Sequence, residues 1–356
     1  MDLGQVRPTL KQAERFAKAT HTPFGYLLLP EPPVKELPVA DFRTLPEARR
    51  RRPSPDLLDT IYACERRQER YRAYAQRQQL DPVPFIDSVT LDDDVEHVAA
   101  AMRETFDFGL DDRRRYANWS DALSGLAERA EASGVLVMIS GVVGANPHRK
   151  LDPAEFRGFA LCDDRAPVIF VNGADTKAAL IFTLAHELAH QWLGASGVSD
   201  TTIADSGSAA IEDEAIVERW CNEVAAEFLV PRADLIANVA EVTNEITSIL
   251  ERLARRYGVS TLVVLRRLFD VSLVEPSRFR AEYDAELSRV MAFKTTGGTG
   301  GNFYNTQPVR VSRELARAVI VDTPEGHTLH REAFKLLDVS RIETFDELPV
   351  RMEVGG

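Results

Sequence analysis

The segment FTLAHELAHQWLG, residues 182–194, constrains the fold more than any other stretch of the chain. Leu184, Ala185, Leu188, Ala189, Trp192 and Leu193 make it apolar on nearly every side, the composition of a buried helix. Yet the same helix carries His186, Glu187 and His190 in H-E-x-x-H spacing. Unpaired polar groups in a core are costly, so whatever forms around this helix must bring partners to all three. Positions i and i+4 share a helix face, so His186 and His190 can present two imidazole nitrogens to one ion. Glu187, one position on, is placed instead to reach a water on that ion and act as general base. Zinc suits such a set, since it takes nitrogen and oxygen ligands tetrahedrally and can leave one position open.

A catalytic zinc takes a third protein ligand. The next histidine downstream is His327, so the extended pattern with a third nearby histidine is absent. A carboxylate is the natural alternative, and the helix expected at about 211–229 offers Glu212, Glu214, Glu218, Glu223 and Glu227. Glu218 is the first choice. It heads E-R-W-C-N, with Asn222 one turn later on the same face, able to hold Glu218 or a ligating histidine in place. Glu214, one turn earlier, is the second choice. Cys221 could also ligate zinc, although a small buried residue at a close helix contact is its plainer reading. The Gly-, Ser- and Asp-rich loop at 194–210 lets the second helix fold back beside the first.

The rest of the chain reads as α+β and mostly helical. From Gly134 the texture changes to VLVMISGVV, FRGFALC and PVIFVNG, three short β-rich runs bounded by turn residues. They predict a small three-stranded sheet, with antiparallel neighbours, packed against the HExxH helix at 174–193. A length of 356 residues suits two or three domains at about 150 residues each. The expected divisions are 1–45, two short helices and a proline-spaced linker; 46–133, helical; 134–235, the core with the metal site; 236–294, a helix–Gly-Val-Ser–helix region; and 295–356, a glycine-rich loop and a last helical region. The TTGGTGGNFYNTQ loop lacks the G-K-[ST] ending of a phosphate-binding loop.

A net charge of −12 argues against a whole-molecule nucleic-acid binder, and the RRRRPSP run at 49–55 reads as a solvated linker. Cys64, Cys162 and Cys221 are odd in number and far apart, which argues against a disulfide framework and fits a reducing compartment. The N-terminus has no apolar signal region, and no run approaches the ~18–20 residues of a membrane span, so a cytoplasmic protein is expected.

The combination of FTLAHELAHQWLG with E-R-W-C-N-E-V-A-A-E-F-L-V-P resembles the ImmA/IrrE family of metallopeptidases. Val224 stands where the family usually has phenylalanine. The resemblance runs upstream through FRGFALCDDRAPVIFVNG and downstream through LARRYGVSTLVVLRRL and GGNFYNTQ. It implies a zincin-like core, with His186, His190 and Glu218 as zinc ligands and Glu187 as general base. A strand edge at 157–163 or 167–172 would then bind the substrate backbone. It also implies a protein substrate, a DNA-binding repressor or an antitoxin-like partner, and a role in stress-response or mobile-element control. The first 45 residues resemble the last two helices of a Cro/repressor-type helix-turn-helix whose reading helix is missing, so direct nucleic-acid binding is not expected. Tyr304 and Arg310, in and after the glycine-rich loop, are candidates to steady the oxyanion. The alternative is a transcriptional regulator or toxin–antitoxin component in which the metal site is structural or sensory.

Overall fold

The computed structural model describes residues 8–19, 24–31, 40–41, 53–175, 177–199, 212–239, 246–293 and 309–351. In chain order its α-helices are α1 (Leu10–Ala19), α2 (Pro55–Arg77), α3 (Val95–Thr105), α4 (Leu110–Arg113) and α5 (Trp119–Ala132). They continue as α6 (Lys177–Leu193), α7 (Glu212–Leu229), α8 (Arg232–Asn238), α9 (Ile246–Tyr257), α10 (Thr261–Asp270) and α11 (Pro276–Phe293). The last three are α12 (Arg313–Asp322), α13 (His330–Leu336) and α14 (Ile342–Arg351). The strands are β1 (Ala40–Asp41), β2 (Leu136–Ser140), β3 (Gly158–Leu161), β4 (Val168–Asn172) and β5 (Gly197–Ser199), in the spatial order β1-β5-β3-β4-β2. The fold is α+β, as expected.

The sheet lies between two helical layers, and the strand sequences show why. Side chains alternate across a sheet. In β4, Ile169 and Val171 enter one core while Val168 and Phe170 enter the other. All five β4 residues are buried, so the strand reads as a continuous apolar run rather than an alternating one. The first core holds α6 with residues of α3, α5, α7, α9 and α10. The second, on the opposite face, holds α2 with residues of α12, α13 and α14.

Two expectations about the sheet are corrected. The three foreseen strands are not all antiparallel: β3 pairs antiparallel with β4, but β2 pairs parallel with β4 on its other side. After β2 the chain crosses past β4 through residues 141–157 before it turns back, so sequence neighbours are not spatial neighbours. Second, neither 157–163 nor 167–172 offers a free edge, because both β3 and β4 are interior strands. Beside β3 lies β5, which was not foreseen, and β1 lies outside it at that edge of the sheet. Gly194 ends α6 with φ +69, a left-handed turn at which a Cβ would lie 2.5 Å from Asp87 Oδ1. The chain then returns as β5 along β3.

The helix–Gly-Val-Ser–helix rhythm is α9 and α10. Gly258 turns at φ +63, and the Ser260 hydroxyl caps α10 by accepting from Val263 N–H at 3.3 Å. Leu262, Val263, Val264, Leu265 and Leu268 of α10 are all buried, so this pair is part of the core around α6.

Candidate metal centre

The C-terminal end of helix α6 is tied towards α7 by a chain of aromatic contacts. Trp192 stacks on Phe85 with centroids 4.0 Å apart and meets Phe106 edge-on at 5.2 Å; Phe106 in turn meets Phe228 of α7 at 6.4 Å. Arg113, buried at the end of α4, fixes the C-terminus of α7. It donates to Phe228 O at 2.6 Å, to Leu229 O, and to Tyr257 O at 3.2 Å. A cation is favourable beside those carbonyl ends.

With α6 and α7 set side by side, His186, His190 and Glu218 converge, all buried. His186 Nε2 and His190 Nε2 lie 3.0 Å apart. Glu218 Oε1 is 3.2 Å from His190 Nε2, and its Oε2 is 3.4 Å from His186 Nε2. A tetrahedral ion with ligand distances of about 2.0–2.1 Å spaces its ligand atoms about 3.3–3.4 Å apart. The three atoms therefore fit one small divalent cation of the zinc type. Burial pushes the Glu218 carboxyl up, but the two imidazoles outweigh it and hold the group well below the ordinary carboxylate range. It is an anion ready to ligate.

Glu187 is different. It is fully buried, and neither carboxylate oxygen has a hydrogen-bond partner of good geometry among the described residues. Burial, with Glu218 adding and His186 opposing, pushes its pKa up to about 8. A tight, narrow cleft lies at this carboxylate, lined by Arg157, Phe182, Thr183, His186, Glu187 and Ser199. Residues 130–269 match a family model, peptidase M78, described as an IrrE N-terminal-like domain. This segment is similar to the IrrE-type peptidase domain. Residues 311–349 match a second family model, described only as a domain of unknown function. No curated protein and no solved structure matches the chain.

The matched segment contains His186, Glu187, His190 and Glu218 and all the residues that line the cleft. Asn222 lies beside His186 and helps raise its pKa, which burial opposes and Glu218 raises most. Its Oδ1 is buried without a partner of its own among the described residues. Glu214 is half-buried and outside the converging group, and Cys221 is a buried thiol raised by desolvation. Tyr304 lies outside the described residues. Arg310 does not line the cleft; its neighbour Val311 is buried in the core on the opposite face of the sheet.

Three site features were not foreseen. Ser199, on β5, places its hydroxyl 3.3 Å from Glu218 Oε1 and 3.5 Å from His190 Nε2. Gly158, paired with Ser199 across β3 and β5, leaves room for Glu187: a Cβ there would lie 2.6 Å from Glu187 Oε1. Arg157 brings a guanidinium to the cleft, tied to the Asp175 carboxylate through Nη1, with its Nε lacking a partner among the described residues. The glycine in FRGF was the one signal available, since an isolated glycine in a strand marks a close approach.

Proposed function

We propose that the chain is a zinc-dependent endopeptidase that hydrolyses a peptide bond in a regulatory protein, of the DNA-binding repressor or antitoxin class. The reading is carried by the convergence of His186, His190 and Glu218 beside a buried, unpaired Glu187 that faces a cleft. A zinc ion held by those three side chains would supply a Lewis acid that polarises the scissile carbonyl and an attacking water. Glu187 takes the proton from that water and returns it to the departing amine. Ser199 steadies the Glu218 carboxylate, and Asn222 stands behind His186. Arg157 joins Tyr304 as a candidate to meet the developing oxyanion, with its place in the cleft in its favour. The regulatory substrate rests on the family resemblance. No helix among the described residues is long and apolar enough to cross a membrane.

The test is metal dependence. Cleavage of a repressor-type protein substrate should stop in a strong chelator and return with added zinc, and Glu218→Ala should not be rescued. Cleavage that persists in chelator would overturn the reading.

A further inference from the structure

β5 is the strand nearest the metal group, since its last residue, Ser199, touches both Glu218 and His190. One edge of β5 is covered by β3: Arg157 N–H donates to Ser199 O at 2.9 Å. Backbone groups of successive strand residues point to opposite edges, so Val198 turns its N–H and C=O the other way. That outer edge is the one open to strand addition, and it is occupied. β1 lies along it in parallel, with Ala40 opposite Gly197 and Asp41 opposite Val198, one residue short of Ser199. β1 comes from a proline-bounded stretch, LPVADFRTLP, more than 140 residues before β5 in the chain. Among the described residues the pairing joins two residues of each strand, and Ala40 is exposed.

We propose that the Ala40–Asp41 segment is an internal competitor for the substrate: it sits on the strand edge that an extended polypeptide must use to reach the metal group, and substrate has to displace it. The proposal rests on the peptidase reading for its consequence, though not for the pairing itself. A ladder of the two described residue pairs is weak enough to yield to a longer strand. At the net worth of one or two backbone hydrogen bonds, it would lower apparent substrate affinity by roughly tenfold. It would leave the chemical step alone, because no residue of β1 is among the ligands or the cleft-lining residues.

The test compares the full wild-type chain with a full-length variant in which residues 38–43 are replaced by Gly-Ser-Gly-Ser-Gly-Ser. Hydrogen exchange at the Val198 amide reads the pairing without any catalysis. It should be slow in wild type and at least about tenfold faster in the variant. The variant should show KM lowered by roughly tenfold on an extended peptide, with kcat unchanged. A labelled peptide LPVADFRTL should bind the variant more tightly than wild type and inhibit it competitively. Equal Val198 exchange in the two proteins would overturn the proposal, as would faster exchange with KM unchanged. Should neither protein cleave any peptide with zinc bound, the peptidase reading has failed. The labelled peptide then decides the strand claim alone: tighter binding to the variant upholds it and equal binding overturns it.

Discussion

Replacing Gly158 with alanine should damage catalysis without touching a metal ligand. The new Cβ would stand 2.6 Å from Glu187 Oε1, 2.9 Å from Thr183 Cγ2 and 3.0 Å from Phe170 O. Ordinary contacts to a Cβ begin near about 3.4 Å, so all three neighbours are too close. The Phe170 carbonyl is fixed in the β3–β4 ladder and cannot yield. Thr183 is held by its hydroxyl, which donates to Ala179 O at 3.2 Å. Glu187 has no such restraint and is the group that moves. Overpacking of this kind costs about 1–3 kcal/mol, which at about 2 kcal/mol lowers the melting temperature of a 356-residue chain by about 3 °C. A catalytic group displaced by about 1 Å loses roughly 100-fold in rate. Zinc affinity should stay within a few-fold of wild type, because His186, His190 and Glu218 keep their places. Thermal melts, zinc titration and kcat on the same preparation read all three. Gly158→Ala with wild-type kcat and an unchanged melt would refute the placement of Glu187 under β3.

Two further outcomes follow from the helices that frame the site. Glu131, at the end of α5, is buried and takes hydrogen bonds from the Ser312 hydroxyl and from Arg313 N–H at 2.8 Å; burial, which outweighs them, pushes its pKa up to about 7. A carboxyl with a raised folded-state pKa destabilises the fold as pH climbs from the unfolded value of 4.5 through 7, by about 3 kcal/mol when fully ionised. Glu131→Gln should therefore gain stability over wild type at pH 8 and little at pH 5, as read by urea melts; an equal difference at both pH values would contradict the assignment. Arg113→Leu should cost about 3–5 kcal/mol, since it strips the donor from the buried carbonyls of Phe228, Leu229 and Tyr257. It should also weaken zinc binding through α7, and a melt within about 1 kcal/mol of wild type would argue against it.

The ligand set was legible because helix periodicity is short-range and strict. Two histidines four apart and a glutamate in a polar notch of the next helix needed no tertiary information beyond the two helices lying together. Glu218 over Glu214 was decided by Asn222, and the structure places Asn222 beside His186 rather than beside the carboxylate. What the residues could not disclose was anything set by strand order. GVS at 197–199 looks like loop sequence, since a three-residue strand has no period of its own, and so Ser199 went unnoticed. The parallel β2–β4 pairing escaped for a related reason: short adjacent β-runs suggest hairpins, and the crossing of residues 141–157 has no local signature. Arg310 was chosen by position in a loop, and its neighbour Val311 belongs to the opposite core.

The most direct test of the account is Glu187→Gln in the zinc-loaded full chain, assayed on a repressor-type substrate. The change leaves all three ligand atoms untouched and removes only the proton acceptor at the cleft. The account predicts one zinc per chain, as in wild type, an unchanged or slightly raised melting temperature, and a kcat lower by roughly 100- to 10,000-fold. A Glu187→Gln protein that binds zinc and cleaves within about tenfold of the wild-type rate would contradict it.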